Sequence, residues 1–344
     1  MTYVLLGILG LALLMVVHEG GHYLAARAFK MRVLRFSIGF GPAIWRHKPK
    51  GSPTTFQVAL IPFLAYVQID GMNPFEEIDP KDEGSYANAS LIARMTTIFA
   101  GPLANYLFAS VLFFAALLVG GKEVATQKIF VLPDSPAAAA QLRDGDEIVA
   151  VAGETVRDWE HMRERISQNP EKPITLDIVR DGERMQVTVT PAKTEDGKGR
   201  IGVGPKTMHV PVTLKEATIV AIEQPARVVQ GFIVGMGRIL TGQEKPELAG
   251  PVGIVNEAAR QIEAGVTYGL WFVGVLSAYL GAFNMLPIPA LDGGRFMFLL
   301  YEAATRRRPN PKVEAQVHAV GLVMMLALIA AVTIFSDIPA SRGN

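Results

Sequence analysis

Four stretches of this chain are so apolar and so nearly free of charge that water is the wrong solvent for them. That bounds every fold the chain can adopt. They run over about residues 3–27, 94–119, 268–290 and 314–335. At about 1.5 Å per helical residue, each can cross the roughly 30 Å of a bilayer's hydrocarbon. Met95 to Leu118 carries no charged side chain, nor does Val266 to Ala290, and Val317 to Phe335 holds only His318. Lipid offers backbone N–H and C=O groups no partner, so these segments predict a multi-pass α-helical membrane protein with four transmembrane helices. A secretory leader is the alternative for the first stretch. No basic residue opens it, however, and its apolar pattern continues through His22 to Ala26, so a spanning helix is expected.

Charge sets the orientation. Arg27, Lys30, Arg32, Arg35, Arg46, Lys48 and Lys50 lie between the first two spans, and Arg306, Arg307, Arg308 and Lys312 between the last two. The positive-inside rule places both loops in the cytoplasm, with the two termini and residues 120–265 on the opposite side of a bacterial inner membrane. The net charge of +1 marks no nucleic-acid binder. The expected partners are the lipid bilayer and proteins within it.

The remaining sequence divides in three. Residues 31–72 alternate small, aromatic and apolar side chains around Gly39-Phe40-Gly41-Pro42 and Gly51-Ser52-Pro53. That pattern predicts a membrane-associated β-hairpin, its backbone satisfied by protein or a water-filled cavity. Residues 121–206 read as a small α+β unit with a PDZ-like order of elements. Ser135-Pro136 opens one helix, Asp158–Gln168 forms a second, and Asp181-Gly182 turns a hairpin. Residues 207–265 are apolar but broken by Glu216, Glu223, Arg227 and Arg238. An amphipathic interfacial region is expected there in place of a fifth span. The membrane core is thus split into two halves, 1–120 and 266–344.

Cysteine is absent, so any metal must be held by His, Asp or Glu. His18-Glu19-Gly20-Gly21-His22 puts two imidazoles one helical turn apart on one face, where both reach a single Zn²⁺. Glu19 beside them is a general base for the attacking water. The bland alternative is a pair of satisfied polar residues at a helix end, but an apolar helix makes polar groups costly without a partner. A third ligand is needed, and Asp292 is the best placed, after a long uncharged run broken by Pro287 and Pro289. The alternative for Asp292 is a helix cap. Asp70 and Glu302 sit closer to charged loops and are weaker choices.

These residues resemble the site-2 protease family of intramembrane metallopeptidases, and more closely its bacterial regulator-of-sigma-E type, which carries PDZ domains between spans. The matching pieces are His18 to His22, Gly39 to Pro42, Gly101-Pro102-Leu103-Ala104-Asn105, Gly250-Pro251-Val252-Gly253-Ile254 and Asn284 to Gly294. The resemblance implies one zinc per chain on His18, His22 and Asp292, with Glu19 as base. It implies that Asn284 holds the substrate backbone or the oxyanion, and that Asn105 orders the core helices or contacts substrate. Two departures stand out. There is room for one PDZ domain where relatives often have two. Asp134 also stands where such domains usually show Gly, which sets a like charge against a peptide's terminal carboxylate.

A spanning substrate hides its carbonyls in its own hydrogen bonds, so cleavage requires unwinding and a new backbone partner. The hairpin offers an edge, with Val58 as the residue expected there. The function expected is a zinc metalloendopeptidase that cuts single-span membrane proteins already shortened outside, such as anti-sigma factors or remnant signal peptides. A non-catalytic membrane chaperone is the competing class, and the full ligand set argues against it. A zinc transporter would need polar residues along several spans.

Overall fold

The computed structural model describes residues 1–73, 79–194, 197–245 and 249–337. The parts of the expected domains at 74–78, 195–196, 246–248 and 338–344 lie outside the described residues. The chain forms two compact units, Met1–Val119 with Thr213–Asn344, and Gly120–Val212.

The first unit opens with helix α1 (Thr2–Ala28), followed by two long strands, β1 (Val33–His47) and β2 (Thr55–Ile69), and helix α2 (Leu91–Gly120). The strands do not form a flat hairpin. Gly39 and Gly41 adopt φ of +90° and +93°, a region open to glycine without strain, and β1 doubles back there. Phe36 pairs with both Val67 and Phe56, and Val58 pairs with both Ile38 and Trp45. Residues 43–47, 55–59, 33–38 and 65–69 therefore lie side by side in that order. Val58, expected at an edge, sits on an interior strand, and the edges are 43–47 and 65–69.

The second unit contains β3 (Lys122–Val131), α3 (Pro136–Ala139), β4 (Glu147–Val151), β5 (Glu154–Thr155), α4 (Trp159–Ser167), β6 (Ile174–Arg180), β7 (Glu183–Val189), β8 (Ala192–Lys193), β9 (Gly199–Arg200) and β10 (Val203–Val210). Its main sheet runs β10-β3-β4-β6-β7, with β5 beside β4. Alternation decides which face is covered: Ile174, Leu176 and Ile178 of β6 are buried with Met162 and Ile166, one turn apart on α4. Asp158 caps α4 by accepting from the N–H of His161 at 2.8 Å. Residues 207–210, which the sequence places in the interfacial region, pair with β3 and belong to this sheet.

The chain then returns to the first unit with α5 (Leu214–Leu240), α6 (Pro251–Ala264), α7 (Val266–Asn284), α8 (Asp292–Thr305) and α9 (Pro311–Val332), which continues as a π-turn to Asp337. Among the described residues, the helices long and apolar enough to cross a membrane are Thr2–Ala28, Leu91–Gly120, Val266–Asn284 and Pro311–Asp337. The third ends before the expected 290. Pro287 and Pro289 lack the N–H that a helix needs, and residues 285–291 form a loop. Helix α5 opens with a capping box between Thr213 and Glu216 and buries only the stripe Ala217, Ala221 and Pro225.

Lipid gives helices no hydrophobic reason to associate, so close contact has to come from small residues. Gly274, Ser277 and Gly281 line the face of α7 that meets α2. A Cβ at Gly281 would press on the carbonyl of Pro102, and the Ser277 hydroxyl donates to the main-chain oxygen of Asn105 at 2.8 Å. Such bonds between membrane helices contribute about 0.6 kcal/mol on average. At the other end of α2, Arg94 donates to both carboxylate oxygens of Glu302, at 3.0 and 2.6 Å, which fastens α8.

Candidate metal centre

Three donor atoms from opposite ends of the sequence converge in the first unit. His18 and His22 are stacked by one turn of α1 and are both buried. Asp292 begins α8 and turns its carboxylate toward them. Oδ2 lies 3.0 Å from Nε2 of His18 and 3.3 Å from Nε2 of His22. The two Nε2 atoms are 3.2 Å apart. Leu291, not Asp292, occupies the N-cap of α8, and Asp292 stands in its first turn.

Packing brings the imidazoles to this point. A Cβ at Gly21 would overlap the carbonyl of Ala100, and one at Gly101 would overlap the His22 ring. Helices α1 and α2 thus touch backbone to backbone beside the site, which only glycine permits. Gly20 faces open space, so the two glycines of the motif are not equivalent.

Partners behind the rings set their protonation. Nδ1 of His22 donates to the carbonyl of Thr97 at 2.8 Å, so its proton is on Nδ1 and Nε2 presents a lone pair. The Asn105 amide, fully buried, lies 3.3 Å from Nδ1 of His18. Its Oδ1 has no protein donor among the described residues. With the amide oriented so that Oδ1 accepts from Nδ1–H, that oxygen is satisfied and the second Nε2 is also left as a lone pair.

This donor set fits zinc. Bonds of about 2.0–2.1 Å to His and Asp in a tetrahedron give edges of about 3.3–3.4 Å, and the three separations here are 3.0, 3.2 and 3.3 Å. Oδ2 of Asp292 is buried without a hydrogen-bond donor among the described residues, an expensive state for an anion unless a cation shares the space. Two His and one carboxylate also leave a fourth position free, as catalytic sites require.

Glu19 lies beside the cluster, with Oε2 accepting the main-chain N–H of Val67 at 2.9 Å. That N–H points away from β1, which makes 65–69 the edge nearest the site. Of the other expected site residues, Asn284 closes α7 and is half-buried. Asn105 stands behind His18 and is enclosed by protein. Val58 is interior to the sheet. Asp70 and Glu302, the weaker candidates, are paired with Arg32 and Arg94. Sequence reasoning missed Thr97 and Val67, because both act through main-chain groups and leave no signature in residue type.

Comparison with known proteins decides the family. The family described as Peptidase family M50 matches residues 6–328. The chain belongs to peptidase family M50. A Nostoc relative named as a zinc metalloprotease is 33% identical to this M50 chain over 94% of it and 93% of the relative. Zinc metalloprotease RasP of Geobacillus kaustophilus is 28% identical over 92% and 93%. Probable protease eep of Enterococcus faecalis is 27% identical over 93% and 95%. A PDZ domain of an SdrC-like protein from Listeria innocua aligns with 26% of this chain and 98% of its own, at 19% identity and a TM-score of 0.22. The M50 member is therefore a peptidase, and the site-2 protease resemblance is its family.

Proposed function

We propose that this M50 member is an intramembrane zinc endopeptidase. It cuts the spanning segments of single-span membrane proteins whose outer portions have already been removed, as in regulated proteolysis of anti-sigma factors or clearance of remnant signal peptides. One observation carries the reading: His18, His22 and Asp292 bring their donor atoms within 4.8 Å of one another, and the helix that carries both imidazoles is long and apolar enough to cross a bilayer. In this reading Gly120–Val212 is a PDZ domain. It lies with both termini on the outer side of the inner membrane, and the active-site end of α1 is near the cytoplasmic face.

The zinc would be held by Nε2 of His18, Nε2 of His22 and Oδ2 of Asp292. When bound, zinc supplies Lewis-acid polarisation and lowers the pKa of water toward neutrality. The chain's own residues do the rest. Glu19 takes the proton of the attacking water and returns it to the leaving amine. The N–H of Val67 keeps Oε2 of Glu19 in place, so the base does not have to be ordered in each turnover. Thr97 and Asn105 orient the two imidazoles. The outer edge of 65–69 gives an unwound substrate strand the backbone partner that lipid withholds, and Asn284 offers its amide to the substrate backbone or the oxyanion.

The reading is tested with the purified chain in lipid nanodiscs and a single-span model substrate. Zinc is counted by mass spectrometry and cleavage followed by fragment masses. One zinc per chain, with cleavage lost in Glu19→Gln, is expected. Undiminished cellular activity of Glu19→Gln would favour the chaperone class instead.

A further inference from the structure

Helix α9 is exposed along most of its length, and Gly321 is its one buried residue among those described. At one point it grips the segment that leads into Asp292. A Cβ at Gly321 would overlap Pro289. One turn earlier on the same face, Nδ1 of His318 accepts the main-chain N–H of Ala290 at 2.9 Å. Ala290 holds a φ of +77°, which an L side chain adopts only where its surroundings impose it. The opposite side of this turn is pressed by α8. Side chains at Gly293 and Gly294 would overlap the carbonyls of Leu286 and Ile288. The His318 ring is in turn seated against Phe298, with centroids 5.8 Å apart.

The geometry points to His318 as a positioning residue: with Gly321, it buttresses the Pro289–Ala290 turn and so keeps the Asp292 carboxylate aimed at His18 and His22. The chain from Ala290 to Asp292 has little slack. Release of the Ala290 N–H lets the strained residue relax toward negative φ and swings the start of α8. This inference rests on the ligand set proposed above and adds a support that touches neither metal ligand nor substrate.

The test uses the full chain in nanodiscs, with zinc affinity measured by chelator competition and hydrogen exchange followed at residues 290–291. His318→Phe keeps ring volume and loses the acceptor. It is expected to weaken zinc binding about 10–100-fold and to speed exchange of the Ala290 amide. His318→Asn sets Oδ1 where Nδ1 stands and is expected to stay within about threefold of wild type. Gly321→Ala, which displaces Pro289 without touching His318, should reproduce the loss. Wild-type affinity and exchange in His318→Phe would overturn the inference. Should that variant fail to fold, wild-type affinity in Gly321→Ala overturns it, and loss there with retention in His318→Asn supports it. A wild-type chain that takes up no zinc overturns the ligand set and this inference together.

Discussion

The main-chain N–H of Val67 donates to Oε2 of Glu19 across 2.9 Å. One hydrogen bond thereby joins the edge of the bent sheet to the carboxylate beside the His18–His22–Asp292 cluster. The edge and the carboxylate are fixed relative to each other, so under the proposed function a strand added along 65–69 would arrive in a set register with Glu19.

Glu19→Gln is expected to lower turnover by about 10²–10⁴-fold with zinc content unchanged. Its amide oxygen can still accept from Val67, so the sheet stays docked. Fragment quantification alongside metal analysis checks both halves, and loss of zinc in this variant would assign Glu19 to the ligand shell.

Proline separates edge from interior. Val67 spends its N–H on Glu19 and not on β1, so Val67→Pro breaks no ladder bond; it should lower stability by about 1–3 kcal/mol through the lost bond to Glu19 while cutting turnover about 10- to 100-fold. Val58 is paired on both sides. Val58→Pro should lower stability by about 3 kcal/mol or more, taking activity with it. Equal melting behaviour of the two variants would contradict the doubled-back sheet.

Gly101→Ala changes no ligand, yet its Cβ must displace the His22 ring. Zinc affinity is expected to fall about 10–100-fold, as read by competition with a chromogenic chelator. Gly20→Ala, facing open space, should bind zinc as the parent does.

In the second unit, Asp146 is buried. It accepts from Arg180 through Nε at 2.8 Å and Nη2 at 2.7 Å, and from the N–H of Arg143 at 2.8 Å. Burial pushes its carboxyl pKa up, but the Arg180 pair and the Arg143 N–H outweigh burial and hold it below the ordinary value. A carboxylate with a depressed native pKa stabilises fully above its unfolded value and loses that contribution as pH falls through the native one. The unit should therefore hold its stability at neutral pH and weaken below about pH 4. Arg180→Leu, which strands the buried anion, should cost about 3–5 kcal/mol at pH 7. Denaturant unfolding at pH 7 and pH 3 measures both.

Side chains made much of this legible from sequence, and backbone hid the rest. Uncharged runs mark the long helices because lipid tolerates nothing else. The spacing of His18 and His22 follows from the helical turn, and Asp292 stood out as an acid at the end of an apolar run. The end of α7 at Asn284 was signalled by Pro287 and Pro289, and the sequence reading extended the span past them. The doubling-back of β1 depends on which strand each residue pairs with, and alternation alone is silent on that; hence the sequence pattern suggests an edge at Val58 where the pairing makes it interior. Residues 207–210 look interfacial by composition, but their pairing with β3 is a long-range event. Thr97 and Val67 contribute only a carbonyl and an N–H, which every residue has.

One fastening lies far from the metal cluster. The buried carboxylate of Asp337 accepts the N–H of Gly250 at 2.9 Å and that of Val252 at 3.0 Å, and Gly250 and Gly253 leave room for it. Helix α6, whose first turn is thus held, packs through Ala258 on Gly7 of α1, the helix that carries both imidazoles. Asp337 is therefore mechanically linked, through one intermediary helix, to α1. Removing that one carboxylate would slacken the helix that presents the histidines, even though Asp337 lies outside the chemistry.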